Sequence, residues 1–170
     1  GPEIKGKTLG IIGLGAIGIL VANAAVSLGM KVVGTDPFLS VNAALKLSRK
    51  VTVVASQKEV FENADYISLH VPCTADTKGF INADAMASMK DGVRILNFAR
   101  GELVDTASLL SALESGKVAS YVTDFPNAEV IGVEGVGSAV VGEGFIEPGQ
   151  NELVAFILGE RKTTHGFKLL

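Results

Sequence analysis

Six residues, Gly13-Leu14-Gly15-Ala16-Ile17-Gly18, constrain the fold of this chain more than any others. Glycines at this spacing say little alone in a 170-residue chain with 20 glycines. Their setting carries the information: an apolar run from Thr8 to Ile12 precedes them, and a helix-length apolar run from Ile17 to Leu28 follows, stopped by Gly29. In such a strand–turn–helix corner the first glycine permits the tight turn. The second removes a Cβ that would hold off a pyrophosphate, and the third lets helix and strand pack closely. Unpaired amides in the first helical turn then face the phosphate charge. The plainer alternative is a turn that merely needs glycines. The stretch from Thr8 to Met30 also lacks any charged residue, which meets the crude length criterion for a membrane span. Crowded glycines in its first half, with Asn23 and Ser27 in its second, divide it instead into strand, turn and buried helix.

The same rhythm continues along the chain. Further strands are predicted at Lys31–Thr35, Val51–Ala55, Tyr66–Val71, Val93–Phe98 and Val118–Phe125, the fourth of the six ended by Pro72 and the last by Pro126. Helices are predicted over Val41–Leu47, from the Ser56/Glu59 capping-box spacing to Glu62, from an Asn82 cap to Met89, and from an Asp105 cap to Ser115-Gly116. The strands are near-continuous apolar runs, the pattern of strands covered on both faces. Six strand–helix steps in this order imply an α/β fold, a doubly wound parallel sheet of the Rossmann type, in a single nucleotide-binding domain. Right-handed crossovers place its ligand crevice at the carboxyl ends of the first and fourth strands. After Glu129 the rhythm breaks. Six glycines between Gly132 and Gly149 argue against a helix there, leaving loop with one candidate strand at Ser138–Val141 and a short element at Asn151–Leu158.

The net charge of −3 argues against a nucleic-acid partner, which calls for a basic face. Cys73 is the single cysteine, so no internal disulfide forms and a reducing, cytoplasmic setting is expected. No secretory signal and no membrane segment are read from the chain, and no metal-ligand pattern is read from it.

Every further motif falls at the carboxyl end of a strand. Asp36 stands 18 residues after Gly18, where a carboxylate accepts hydrogen bonds from ribose hydroxyls and repels a 2′-phosphate, favouring NAD over NADP; the alternative is an Asp36-Pro37 turn. His70-Val71-Pro72, with Thr77 behind it, lines the expected crevice, and His70 is read as structural rather than as a base. Asn97-Phe98-Ala99-Arg100-Gly101 brings a guanidinium beside the crevice, suited to a bidentate grip on a carboxylate, unless Arg100 is simply a surface residue of a helix-entry loop. Asp124 and Glu129 follow the sixth strand and face the same crevice or serve as turn residues.

From Ile4 to about Val136 the chain resembles the nucleotide-binding domain of the NAD-dependent D-2-hydroxyacid dehydrogenases. The resemblance rests on EIKGKTLGIIGLGAIG, GTDPF, ISLHVPCTADTKGFIN, MKDGVRILNFARGELVD and SGKVASYVTDFPNAE. It implies NAD as cofactor, with contacts at Gly13, Gly15, Ala16, Ile17, Gly18, Asp36, Pro37, His70, Val71, Pro72, Thr77, Phe98, Ala99, Arg100 and Asp124. It implies Arg100 as the group that holds the carboxylate and carbonyl oxygen of a 2-hydroxy or 2-keto acid substrate. Glu129 takes the place of the family's catalytic glutamate, and Asp124 that of the residue orienting the nicotinamide carboxamide. A homodimer formed through this domain is also implied. The family's acid/base histidine lies in a Pro-His-x-Gly segment, and no such segment occurs here; His165, in Thr164-His165-Gly166, is in a different context. Residues 1–136 are thus expected to form the NAD-binding domain and residues 137–170 a divergent tail, part of that domain or unstructured. A non-catalytic NAD-sensing module is the competing expectation. An S-adenosylmethionine-dependent methyltransferase fits less well, because such glycine loops usually lack the third glycine.

Overall fold

The six apolar runs all become strands of one parallel sheet. The computed structural model describes residues 3–138. In chain order these form β1 (Thr8–Ile12), α1 (Ala16–Ser27), β2 (Lys31–Thr35), α2 (Val41–Lys46), β3 (Val51–Val53), α3 (Gln57–Asn63), β4 (Tyr66–Leu69), α4 (Ala83–Ser88), β5 (Val93–Asn97), α5 (Thr106–Glu114), β6 (Val118–Thr123) and β7 (Val136–Ser138). A single 3-10 turn, Gly101–Leu103, lies between β5 and α5. The strand order is β3-β2-β1-β4-β5-β6-β7, with parallel pairing throughout. Strand order reverses between β1 and β4, the switch point where such sheets open a crevice.

Side-chain alternation sorts the core onto two faces. Leu9 and Ile11 of β1 join Ile19, Ala22 and Ala25 of α1 in one apolar cluster. Ile12 of the same strand joins the other, with Val60 and Phe61 of α3, Met86 of α4 and Leu109 of α5. Burying both faces of β1, β2, β4 and β5 selects their unbroken apolar runs. Each Leu or Ile so buried contributes about 1.5–3 kcal/mol. The helices start where polar caps were expected: Ser56, Asn82 and Asp105 accept from the main-chain nitrogens of Glu59, Ala85 and Ser108. The Ser56 hydroxyl also donates to the Glu59 carboxylate at 2.8 Å. Gly29, at φ +82°, ends α1.

Strand amino ends lie where the sequence predicts, but several carboxyl ends come early. β3 stops at Val53 rather than Ala55, β4 at Leu69 rather than Val71, β5 at Asn97 rather than Phe98 and β6 at Thr123 rather than Phe125. Past β4, β5 and β6, apolar residues continue into the loops, so hydropathy does not mark where each strand ends. α2 and α4 likewise end one residue before Leu47 and Met89. β7 occupies Val136–Ser138, so the sheet runs across position 136; the rest of the strand expected to Val141, and the element expected at 151–158, lie outside the described residues.

The register sets up the site. Thr35 pairs with Ile12, Ile12 with Leu69, Leu69 with Asn97, Asn97 with Thr123 and Thr123 with Ser138. One level rung therefore crosses six of the seven described strands, all but β3, at the carboxyl edge of the sheet. Gly13, Asp36, His70, Phe98 and Asp124 are each the first residue beyond it.

Candidate functional site

The glycine corner has the geometry its spacing predicts. Gly13 has φ +98°, and a Cβ there would stand 2.6 Å from the His70 carbonyl oxygen. A Cβ on Gly18 would stand 2.0 Å from the Gly13 carbonyl oxygen, so α1 is pressed against the end of β1. Around Gly15 the opposite holds, since a Cβ there would meet no atom within 4 Å. Gly15 is also the cap residue of α1, and no side chain caps that helix end. Its first amides thus face open space, with Ala16 and Ile17 exposed beside them.

Asp36 forms the turn that was one of its two sequence readings and also makes a second bond that neither reading named. One carboxylate oxygen accepts from the Leu14 amide at 2.9 Å and ties the end of β2 to the glycine corner. The other accepts from the Phe38 amide at 2.8 Å, the Asx turn around exposed Pro37. Beyond β4 the His70 ring nitrogen Nε2 lies 2.8 Å from the hydroxyl of fully buried Ser68. Burial holds His70 down at about 4, so the ring is neutral at pH 7. Val71 packs against the core, while exposed Pro72 accepts at its carbonyl from the Thr77 hydroxyl at 2.6 Å. Because Thr77 also accepts from the Thr74 amide, its hydroxyl is engaged in closing this loop.

The loops after β5 and β6 meet. The exposed Arg100 guanidinium donates to the Ala99 carbonyl at 2.6 Å and lies 5.8 Å from the centre of the Phe125 ring. Asp124, next to Phe125, keeps a buried carboxylate oxygen with no hydrogen-bond partner among the described residues. Burial raises its pKa, and the nearby Arg100 charge opposes that rise. Half-buried Phe98 and Ala99 form the approach to this loop. Glu129 is exposed in a turn capped by Asn127, and its carboxylate makes no hydrogen bond or ion pair among the described residues. The structure thus joins Gly13–Gly18 to Asp36 and to the His70 loop, and Arg100 to Phe125 and Asp124, while Glu129 is not drawn into contact with them.

Sequence reasoning assigned no role to four buried polar residues: Thr35, Ser68, Asn97 and Thr123. Three of them lie on the level rung, and Ser68 one residue before it. Their signal was a polar residue near the end of an otherwise apolar run. A polar cavity of about 200 Å³, lined by Lys7, Asp65, Lys90 and Arg94, lies at the opposite edge of the sheet. There Asp65 already accepts from the Thr8 amide and from Lys90. No group of three or more His, Cys, Asp or Glu among the described residues is arranged to hold a metal ion, and no described helix is long and apolar enough to cross a membrane.

A buried parallel sheet, an uncapped helix end over open glycine, and a carboxylate closing the next strand define a dinucleotide-binding domain. The chain belongs to the family of D-isomer-specific 2-hydroxyacid dehydrogenase NAD-binding domains, whose model matches residues 1–142, six residues beyond the resemblance read from the sequence. It is 46% identical over 124 residues to a D-3-phosphoglycerate dehydrogenase of Bacillus subtilis, covering 73% of this chain and 23% of that protein. A D-lactate dehydrogenase of Lactiplantibacillus plantarum is 41% identical over 122 residues, covering 72% and 36%. Among solved structures, the holo form of D-mandelate dehydrogenase from Rhodotorula graminis matches with TM-score 0.73 and 33% identity, over 82% of this chain and 42% of that one. The chain therefore spans less than half the length of each of these relatives. The residues present fit NAD: the bare Gly15 surface and free amides suit a diphosphate, and Asp36 bounds the neighbouring edge.

The neutral His70 has a measurable consequence. In the unfolded chain its pKa is about 6.5, so below that pH the unfolded state takes up a proton the folded state refuses until about pH 4. Stability is fully present above pH 6.5 and is lost as pH falls toward 4, by about 3 kcal/mol. Urea unfolding at pH 7 and pH 4.5 should show this loss, and His70→Gln should flatten it. An equal loss in both proteins would assign it to other groups.

Proposed function

We propose that this chain is the NAD(H)-binding part of an oxidoreductase acting on the CH–OH group of a D-2-hydroxy acid, with 3-phosphoglycerate and 3-phosphohydroxypyruvate as the substrate pair. The observation that carries the reading is the uncapped α1 terminus over Gly15, open to a diphosphate. The similarity to a D-3-phosphoglycerate dehydrogenase supports the substrate, and with it a role in serine biosynthesis in the cytoplasm. The bound nicotinamide supplies the hydride acceptor or donor. Gly13, Gly15, Ala16, Ile17 and Gly18 hold the diphosphate, and Asp36 with Pro37 the adenosine ribose. His70, Val71, Pro72, Thr77, Phe98 and Ala99 wall the crevice. Asp124 orients the carboxamide, for which its unpartnered oxygen is suited. Arg100 grips the substrate carboxylate and polarises the oxygen at C2, which stabilises charge as it develops there. Glu129 raises the pKa of an acid/base histidine. A homodimer through this domain is part of the reading, and the exposed apolar side chains of Ile17 and Leu20 on α1 favour it.

No Pro-His-x-Gly segment occurs in the 170 residues, and without a positioned base a rate typically drops by about 10²–10⁴-fold. The chain alone is therefore expected to bind NADH with little turnover. The same feature favours the second reading, an NAD-sensing module without catalysis. Titration with NADH, followed by fluorescence and calorimetry, tests the first claim, and silence in both at millimolar dinucleotide overturns it. A steady-state assay with phosphohydroxypyruvate and NADH separates the readings, since sustained oxidation of NADH excludes the sensor.

A further inference from the structure

Asn97 ends β5 on the level rung, is fully buried, and has all four of its hydrogen-bonding positions filled. Its amide nitrogen donates to the Arg100 carbonyl at 2.8 Å and to the Tyr121 hydroxyl at 3.0 Å. Its oxygen accepts from the Ala99 and Arg100 amides at 3.2 and 3.3 Å. The partners of the nitrogen include a carbonyl and those of the oxygen are both amides, so the reversed carboxamide would face mismatched groups. Asn97 therefore grips Arg100 by both of its main-chain polar atoms. Thr123, which pairs with Asn97 across β5 and β6, carries the grip to the neighbouring loop, since its hydroxyl accepts from the Phe125 amide at 3.0 Å. Phe125 carries the ring beside the Arg100 guanidinium. One buried network thus fixes the main chain on both sides of the guanidinium–ring contact.

We propose that Asn97, braced by Tyr121, is a positioning residue that sets the direction of the Arg100 guanidinium. A buried network with every member satisfied gives a rigid, unique arrangement, and displacing a substrate-gripping group by about 1 Å costs on the order of 100-fold. The inference rests on the reading of Arg100 as the substrate-carboxylate group.

The test uses the 170-residue chain with three variants, Asn97→Ala, Tyr121→Phe and Arg100→Ala. Proton NMR reads the ring-current displacement that Phe125 imposes on the Arg100 side chain. Quenching of bound NADH by oxamate, a 2-oxo carboxylate resistant to hydride transfer, reads the carboxylate grip. Asn97→Ala should lose the displacement and weaken oxamate about tenfold while NADH affinity stays within about twofold. Tyr121→Phe, which removes one hydroxyl and keeps the ring packed, should give a smaller change of the same kind. It keeps the idea testable if Asn97→Ala does not fold. An Arg100 signal and an oxamate affinity unchanged in either variant overturn the positioning role. An oxamate response that survives Arg100→Ala overturns the reading of Arg100 itself.

Discussion

Gly18→Ala should remove much of this domain's stability. Its new methyl group would stand 2.0 Å from the Gly13 carbonyl oxygen, well inside the 3.0 Å that real Cβ atoms respect. That atom belongs to main chain held from the other side, since the Gly13 amide donates to the Thr35 carbonyl at 2.9 Å. Either α1 moves off the sheet or the corner after β1 opens, and both give up packing around Ile11 and Ile19. The expected cost is about 3 kcal/mol, which lowers the melting temperature by about 10 °C in a domain of this size. Gly15→Ala supplies the contrast. Its methyl meets nothing within 4 Å, so thermal stability should stay within about 0.5 kcal/mol of the parent. Yet it occupies the approach to the free amides, and NADH affinity should fall at least about tenfold. Circular dichroism melts alongside NADH titrations separate the two effects. A Gly15→Ala protein with undiminished affinity would show that the phosphates do not approach at that surface.

The second large effect belongs to Asp36. Replacement by alanine removes the acceptor of the Leu14 amide and that of the Phe38 amide together. A hydrogen bond to a charged group contributes about 1.5–3 kcal/mol, so loss of the Leu14 anchor alone should lower NADH affinity about 10- to 100-fold even before any ribose contact is counted. Affinity alone therefore does not identify the ribose role. The NADPH-to-NADH ratio does, because only a carboxylate facing the 2′-position discriminates against a phosphate there. Asp36→Ala is expected to lower NADH binding and to bring the two dinucleotides closer in affinity. A fall in both with the ratio preserved would leave Asp36 as an anchor of the corner only, and unchanged affinity for both would remove it from the site.

What could be read in advance follows from how local each signal is. Strands β1, β2, β4 and β5 were legible because burial on both faces leaves an unbroken apolar run, edge strand β3 because its residues are β-branched, and the helices because Ser56, Asn82 and Asp105 cap them with near neighbours. The glycine corner was legible because each glycine answers a separate steric demand. Strand ends were not, since Val71, Phe98 and Phe125 are as apolar as the strands they follow. Asn97 stood within a motif but had no legible task, because its partner Tyr121 is 24 residues away in sequence and only the register brings them together. The anchoring half of Asp36 was hidden for the same reason, its partner Leu14 being 22 residues distant. Glu129 received its catalytic role by resemblance alone, and among the described residues its only hydrogen bond is the main-chain one of the Asn127 turn.

The level rung bears on how such a domain diversifies. With β1, β2, β4, β5 and β6 stopping at the same height, each of their loops leaves a finished platform, and lengthening one loop requires no slippage of its neighbours. Chemistry can then be exchanged loop by loop while the underlying sheet stays untouched. Proteins named for lactate, mandelate and phosphoglycerate can accordingly share a single scaffold.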